Sequence, residues 1–156
     1  MNDEASSSPA PLSAADTAKQ LITGLDRATL ATAMDGWPYA SLALVATAPD
    51  GAPLLFISNL AQHTINLKRD SRLSLLFDGT AGLAEPLTGP RVTVLGRAEA
   101  VRDESLLTCY VARHASARMY AGFPDFNLYR VTVERAHLVA GFGRIDWIEG
   151  AELRAG

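Results

Sequence analysis

Residues 58–64 concentrate hydrogen-bonding chemistry: Ser58, Asn59, Gln62, His63 and Thr64 lie between an apolar run and a segment with helical spacing. At a helix start, free backbone N–H groups and the positive end of the peptide dipole can hold an anion, phosphate above all. The same residues also suit plain helix capping by Ser58, Asn59 or Thr64, and spacing alone does not separate the two. Other chemistry is excluded more firmly. There is no Walker loop and no GxGxxG, of which Gly141-Phe142-Gly143 is only a fragment, and no GxSxG elbow. His63, His114 and His137 have no ligand spacing and Cys109 stands alone, so no zinc site is expected. His114 is expected at a helix end, where a charged imidazole is favourable, and His137 at a strand start as a surface or satisfied group. No pair of carboxylates stands out for hydrolysis.

The elements that would position this cluster are mostly strands. Residues 53–77 read as strand, polar turn, short helix and strand, the helix carrying Ile65 and Leu67 and the second strand running from Leu73 to Phe77. Upstream, residues 13–25 form a helix capped by Ser13, with Asp16 in its first turn and Gly24 at its end. Residues 28–34, 38–47 and 53–57 make a meander joined by the turns Asp35-Gly36 and Asp50-Gly51. Downstream, residues 78–90 are a Gly/Pro-rich loop. Residues 91–101 form a strand with Gly96 at a bulge or close approach. Residues 103–114 form a helix, and residues 128–133 and 136–142 form two further strands. After that, only Ile145, Trp147 and Ile148 look fit for a core. These elements predict a mainly β protein, a six- to seven-stranded antiparallel split barrel with short peripheral helices. Residues 1–12 are expected to be a disordered leader, 13–150 the domain and 151–156 a tail.

With 156 residues, 48% of them hydrophobic and 20% charged, the chain fits one globular domain. A net charge of −3 argues against a general nucleic-acid binder. There is no apolar run of membrane-spanning length, no signal-peptide pattern and no cysteine pair, which together point to a cytoplasmic protein without membrane association. Cys109, among apolar helix residues, is expected to be a buried structural thiol.

The run from Gly36 to Phe77, followed by GPRVTVLGRAEAV, resembles the flavin-mononucleotide-binding split barrel of the pyridoxamine-phosphate-oxidase-like superfamily. The matching pieces are Gly36-x-Pro38-Tyr39, Phe56-x-Ser58-Asn59, Ser74-Leu75-Leu76-Phe77 and Arg91-Val92-x-Val94-x-Gly96. The tail LYRVTVERAHLVAGFGRIDWI is similar to the haem-utilisation branch of that superfamily. The resemblance implies that Ser41, His63 and Thr64 meet the phosphate of FMN and that Ser58 and Asn59 line the ribityl chain or ring edge. It places Arg91 near the flavin, and Phe142 or Gly143 near the ring with Arg144 close by. Trp37 and Trp147 are candidates for stacking on flavin, or for core or interface positions. The resemblance further implies a homodimer and a flavin-dependent oxidoreductase acting on a small molecule. A non-catalytic flavin or haem carrier is the alternative. The oxidases' arginines and lysines are absent at Ser41, Ala46, His63 and Thr64, and no Arg–His pair follows Trp147, so pyridoxamine phosphate is not the expected substrate. The resemblance is to the barrel of that branch without its additional C-terminal domain, which would be expected to begin at about Gly156.

Overall fold

The computed structural model describes residues 12–154. The expected leader falls almost wholly outside them. Helix α1 (Ala14–Gly24) is capped as its sequence suggests, Ser13 Oγ accepting from Asp16 N at 3.1 Å. Its buried Ala18 and Ile22 close one side of the core. Strand β1 (Arg27–Met34) turns at Asp35-Gly36 into β2 (Trp37–Leu44). Both turn residues have positive φ, 50° and 83°, the conformation a two-residue hairpin needs.

The strand expected over residues 38–47 is interrupted: β2 stops at Leu44 and a two-residue β3 (Ala46–Thr47) follows. Val45, fully buried, bonds to the Asp26 carbonyl at the break. Strand β4 (Pro53–Ser58) leads into helix α2 (Gln62–Arg69), and β5 (Arg72–Asp78) returns. Then come β6 (Arg91–Val101), α3 (Glu104–Arg113), a short 3-10 turn (Ala115–Met119), β7 (Phe126–Val139), β8 (Ile145–Glu149) and α4 (Gly150–Leu153).

All eight strands are antiparallel, in the order β2-β1-β5-β6-β7-β4-β3, with β8 on the far half of β7. The sheet curls into a half-barrel, and β2 and β4 face each other across its split without strand pairing. The two strands expected over residues 128–133 and 136–142 are one 14-residue strand. Glu134 is the extra residue between the pairs Gly96–Val133 and Leu95–Arg135, so the strand bends at a bulge rather than ending. Gly96 is required there, because a Cβ on it would lie 2.5 Å from the Thr132 carbonyl oxygen. The C-terminal segment holds more than expected, since β8 extends the sheet and Leu153 of the expected tail is buried. Conversely Ile145 and Trp147 face outward, 63% and 55% exposed, and of the three apolar residues expected in the core Ile148 alone is buried.

Two apolar clusters result. Alternate residues of the strands, among them Leu30, Leu55, Leu75, Phe77, Val94 and Leu138, fill the barrel interior. The opposite face of β4 (Leu54, Phe56) forms a second cluster with Leu128, Tyr110 and Ala117, under α3 and the 3-10 turn. Cys109 lies half-buried beside that second cluster. Period-two alternation on β4 therefore serves a core on each side, which is why its run is apolar throughout.

Candidate functional site

Helix α2 plugs the barrel mouth. Leu67 enters the core, and the buried Asn66 donates to Thr32 Oγ1 at 3.0 Å while accepting from Gln62 Nε2 at 2.8 Å. The helix begins at Gln62, after Ala61, which contributes no side-chain cap. The expected capping by Ser58, Asn59 or Thr64 is thus not how the helix starts. Ser58 Oγ instead accepts from Leu60 N and donates to Asp125 Oδ2, both at 3.1 Å. Asn59 Oδ1 accepts from Asn127 Nδ2 at 3.1 Å. The polar turn is tied to the segment leading into β7, a tie carried by residues far away in sequence.

His63 and Ser41 come together across the barrel mouth, Ser41 Oγ lying 3.1 Å from His63 Nδ1. Burial pushes the imidazole below its ordinary value of 6.5, so the ring is neutral near pH 7 rather than the cation a phosphate would favour. Thr64 is fully buried and its hydroxyl finds no partner. Of the remaining expected site residues, Arg91 donates to the carbonyls of Leu87 and Gly89, and Phe142 stands 86% exposed in the β7–β8 connection beside Arg144. Arg91, Phe142 and Arg144 do not line the cavity described next.

Along the split between β2 and β4 runs a cavity of about 320 Å³. One wall is Leu42, Ala43 and Leu44, the other Phe56, Ile57 and Ser58, and α3 with the following turn contributes Tyr110, His114, Ser116 and Tyr120. Phe126 completes an aromatic group, its ring stacked on Tyr120 at 5.1 Å and tilted against Phe56 at 5.5 Å. Burial pushes the Tyr110 hydroxyl up to about 12, so it stays protonated at any working pH.

His114 differs from its expected place. It does follow the last residue of α3, but it is 9% exposed rather than solvated, with Nε2 at 2.8 Å from the Val45 carbonyl. A carbonyl oxygen only accepts, so Nε2 carries the proton. Arg113 beside it donates to the Gly24 carbonyl at 2.9 Å. The sequence signal that could have found this site is the break at Val45, whose free carbonyl calls for a donor.

The donor set decides what the split accepts. A phosphate dianion favours charged donors, yet no Lys or Arg lines the cavity, the Ser58 hydroxyl is committed to a carboxylate, and the Thr64 hydroxyl is enclosed. The residues present therefore do not fit the phosphate half of FMN. They do fit a flat, largely apolar ring: aliphatic walls from two strands, four aromatic side chains and two imidazoles. No group of three or more potential metal ligands exists among the described residues.

Comparison with known proteins agrees with the split-barrel geometry. The chain belongs to the pyridoxamine 5'-phosphate oxidase family, whose sequence profile matches residues 14–140. It is 32% identical over 116 residues to the chloroplastic non-canonical heme oxygenase HOZ of Arabidopsis thaliana, covering 72% of this chain and 35% of that protein. The structure of a heme binding protein from Mycobacterium smegmatis superposes with a TM-score of 0.85 at 31% identity, over 92% of this chain and 61% of that one. An FAD-binding protein from Mesorhizobium loti shares the fold, with a TM-score of 0.63 at 19% identity over 81% of this chain and 94% of that one. The chain thus spans about a third of the plant relative and about three fifths of the mycobacterial one.

Proposed function

We propose that the protein binds haem in the split between β2 and β4. The observation that carries this reading is the cavity itself, walled by Leu42, Leu44, Phe56, Tyr110, Tyr120 and Phe126, with His63 and His114 on its lining. Haem is a large flat ring, apolar over its faces and ionised only at its two propionates, and burial of the apolar part is favoured by about 25 cal/mol per Å² removed from water; its iron accepts an imidazole. The plant and mycobacterial relatives, named for haem, support the same choice. Ser116 lies on the cavity rim and is exposed, so Ser116→Trp obstructs the split without touching either core. Hemin titrated into this variant should bind at least about tenfold more weakly than to the wild type, with an unchanged unfolding midpoint. Equal affinity would place hemin elsewhere.

A flavin-dependent oxidoreductase is the second reading, favoured by one feature. The N–H groups of Gln62 and His63 precede the first bonds of α2, which run from Thr64 and Ile65 to the Ala61 carbonyl, and they lie at the helix end that carries the Ser41–His63 pair. Under that reading the flavin would supply the electron transfer, and the protein would hold and orient it.

The outer face of the sheet supports a homodimer. One cross-strand row runs Leu42–Thr29–Leu76–Thr93–His137–Trp147, each residue directly opposite the next. Leu42 is 67% exposed, and Leu76 and Trp147 are exposed as well. A second copy is the partner this row suits, since Leu42 also lines the cavity and a copy seated there would close its open side.

A further inference from the structure

We infer that His63 is the side chain that ligates the haem iron through Nε2, with Ser41 as its positioning residue. The assignment rests on the haem reading above and adds the identity of the ligand. Two imidazoles line the cavity, and their hydrogen bonds separate them. His114 uses Nε2 for the Val45 carbonyl, 2.8 Å away. What remains is Nδ1, the nitrogen next to Cβ, on a ring packed 4.9 Å from Tyr110. A macrocycle approaching that nitrogen would meet the residue's own backbone. His63 is arranged the opposite way. Its Nδ1 is the nitrogen held, 3.1 Å from Ser41 Oγ, and the distal Nε2 is the one left for a ligand.

A metal-bound imidazole commonly donates its other N–H to a fixed acceptor, which selects the tautomer and orients the ring. Ser41 is well placed for that part. It sits on β2, paired with Leu30 in the neighbouring strand, so its backbone is fixed by the sheet. His63 is the second residue of α2, a helix anchored by Leu67 and by the Asn66–Thr32 bond. Ligand and acceptor therefore stand on two rigid elements that meet at the mouth of the split. His137, the third histidine, packs on Trp147 at 4.5 Å on the outer face and is not among the cavity residues.

The test uses the purified full chain and ferric protoporphyrin IX, read by electronic absorption and electron paramagnetic resonance. The wild type should show a histidine-ligated ferric spectrum. His63→Ala should lose that signature and regain it on addition of free imidazole, whereas His114→Gln should keep it. Ser41→Ala should retain histidine ligation but bind hemin about tenfold more weakly, the size expected when the partner of a ligand is removed. An unchanged spectrum in His63→Ala, or loss of the signature in His114→Gln instead, overturns the ligand assignment while leaving haem binding standing. Failure of the wild type to retain hemin overturns both.

Discussion

The Thr64 hydroxyl sits in a fully buried side chain with no hydrogen-bond partner. Such an atom carries a desolvation cost of about 1–3 kcal/mol. Thr64→Val keeps the shape and removes the orphan, so it should raise stability by about 1 kcal/mol in urea unfolding and leave ligand affinity unchanged. Weakened binding in that variant would show that the hydroxyl reaches the ligand. Sequence spacing made the Ser58–Thr64 cluster visible, and one of its members, His63, does meet Ser41, which the family resemblance supplied. It could not show that Ser58 and Asn59 are engaged by Asp125 and Asn127, because those partners lie 67 and 68 residues away. His114 was legible as the end of a helix. Its burial depends on Val45, another non-local partner.

Among elements, turns and bulges were the most readable. The two Asp-Gly turns, the Ser13 cap and Gly96 at the β6–β7 bulge follow from local backbone requirements, which the sequence states directly. Strand continuity was less so. Glu134-Arg135 reads as a polar break, yet Glu134 is the bulged residue and Arg135 points outward over the Trp147 ring at 4.6 Å. The β3–β4 turn adds an electrostatic tie to β7: Asp50 accepts from Arg130, and its carboxyl is held below the ordinary 3.8 chiefly by that bond. A carboxylate with a depressed folded value adds stability that is present above its unfolded value and is lost as pH falls through the folded one. The pair is partly exposed, so Asp50→Asn should cost under about 1 kcal/mol at pH 7. The difference from wild type should close in urea unfolding as the pH falls below the depressed folded value of the carboxyl. A gap that persists there would assign the effect to turn geometry rather than to charge.

At the scale of the molecule, the split barrel follows from eight antiparallel strands in which the end strand β2 comes to lie opposite β4 without pairing to it. That gap places the cavity. The mainly β, antiparallel split-barrel class and the alternation of apolar residues were legible, although eight strands form where six or seven were expected; the second cluster under α3 was not, since it requires one strand to be covered on both faces. No helix among the described residues is long and apolar enough to cross a membrane. The outer row through Leu76 belongs to this scale too. Sedimentation should find the wild type as a dimer and Leu76→Glu as a monomer with an unchanged fold, because a like charge would then face itself across a two-fold contact. A monomeric wild type would contradict the proposed pairing.

The central claim is that the split takes a flat apolar ring and lacks the means to hold a phosphate dianion. The most direct measurement is to mix the purified protein separately with hemin and with FMN at micromolar concentration and read the visible absorption of the protein peak after gel filtration. Hemin should travel with the protein at about one per chain while FMN is stripped away. FMN retained in stoichiometric amount, with hemin lost, would contradict the haem reading and return the site to flavin chemistry.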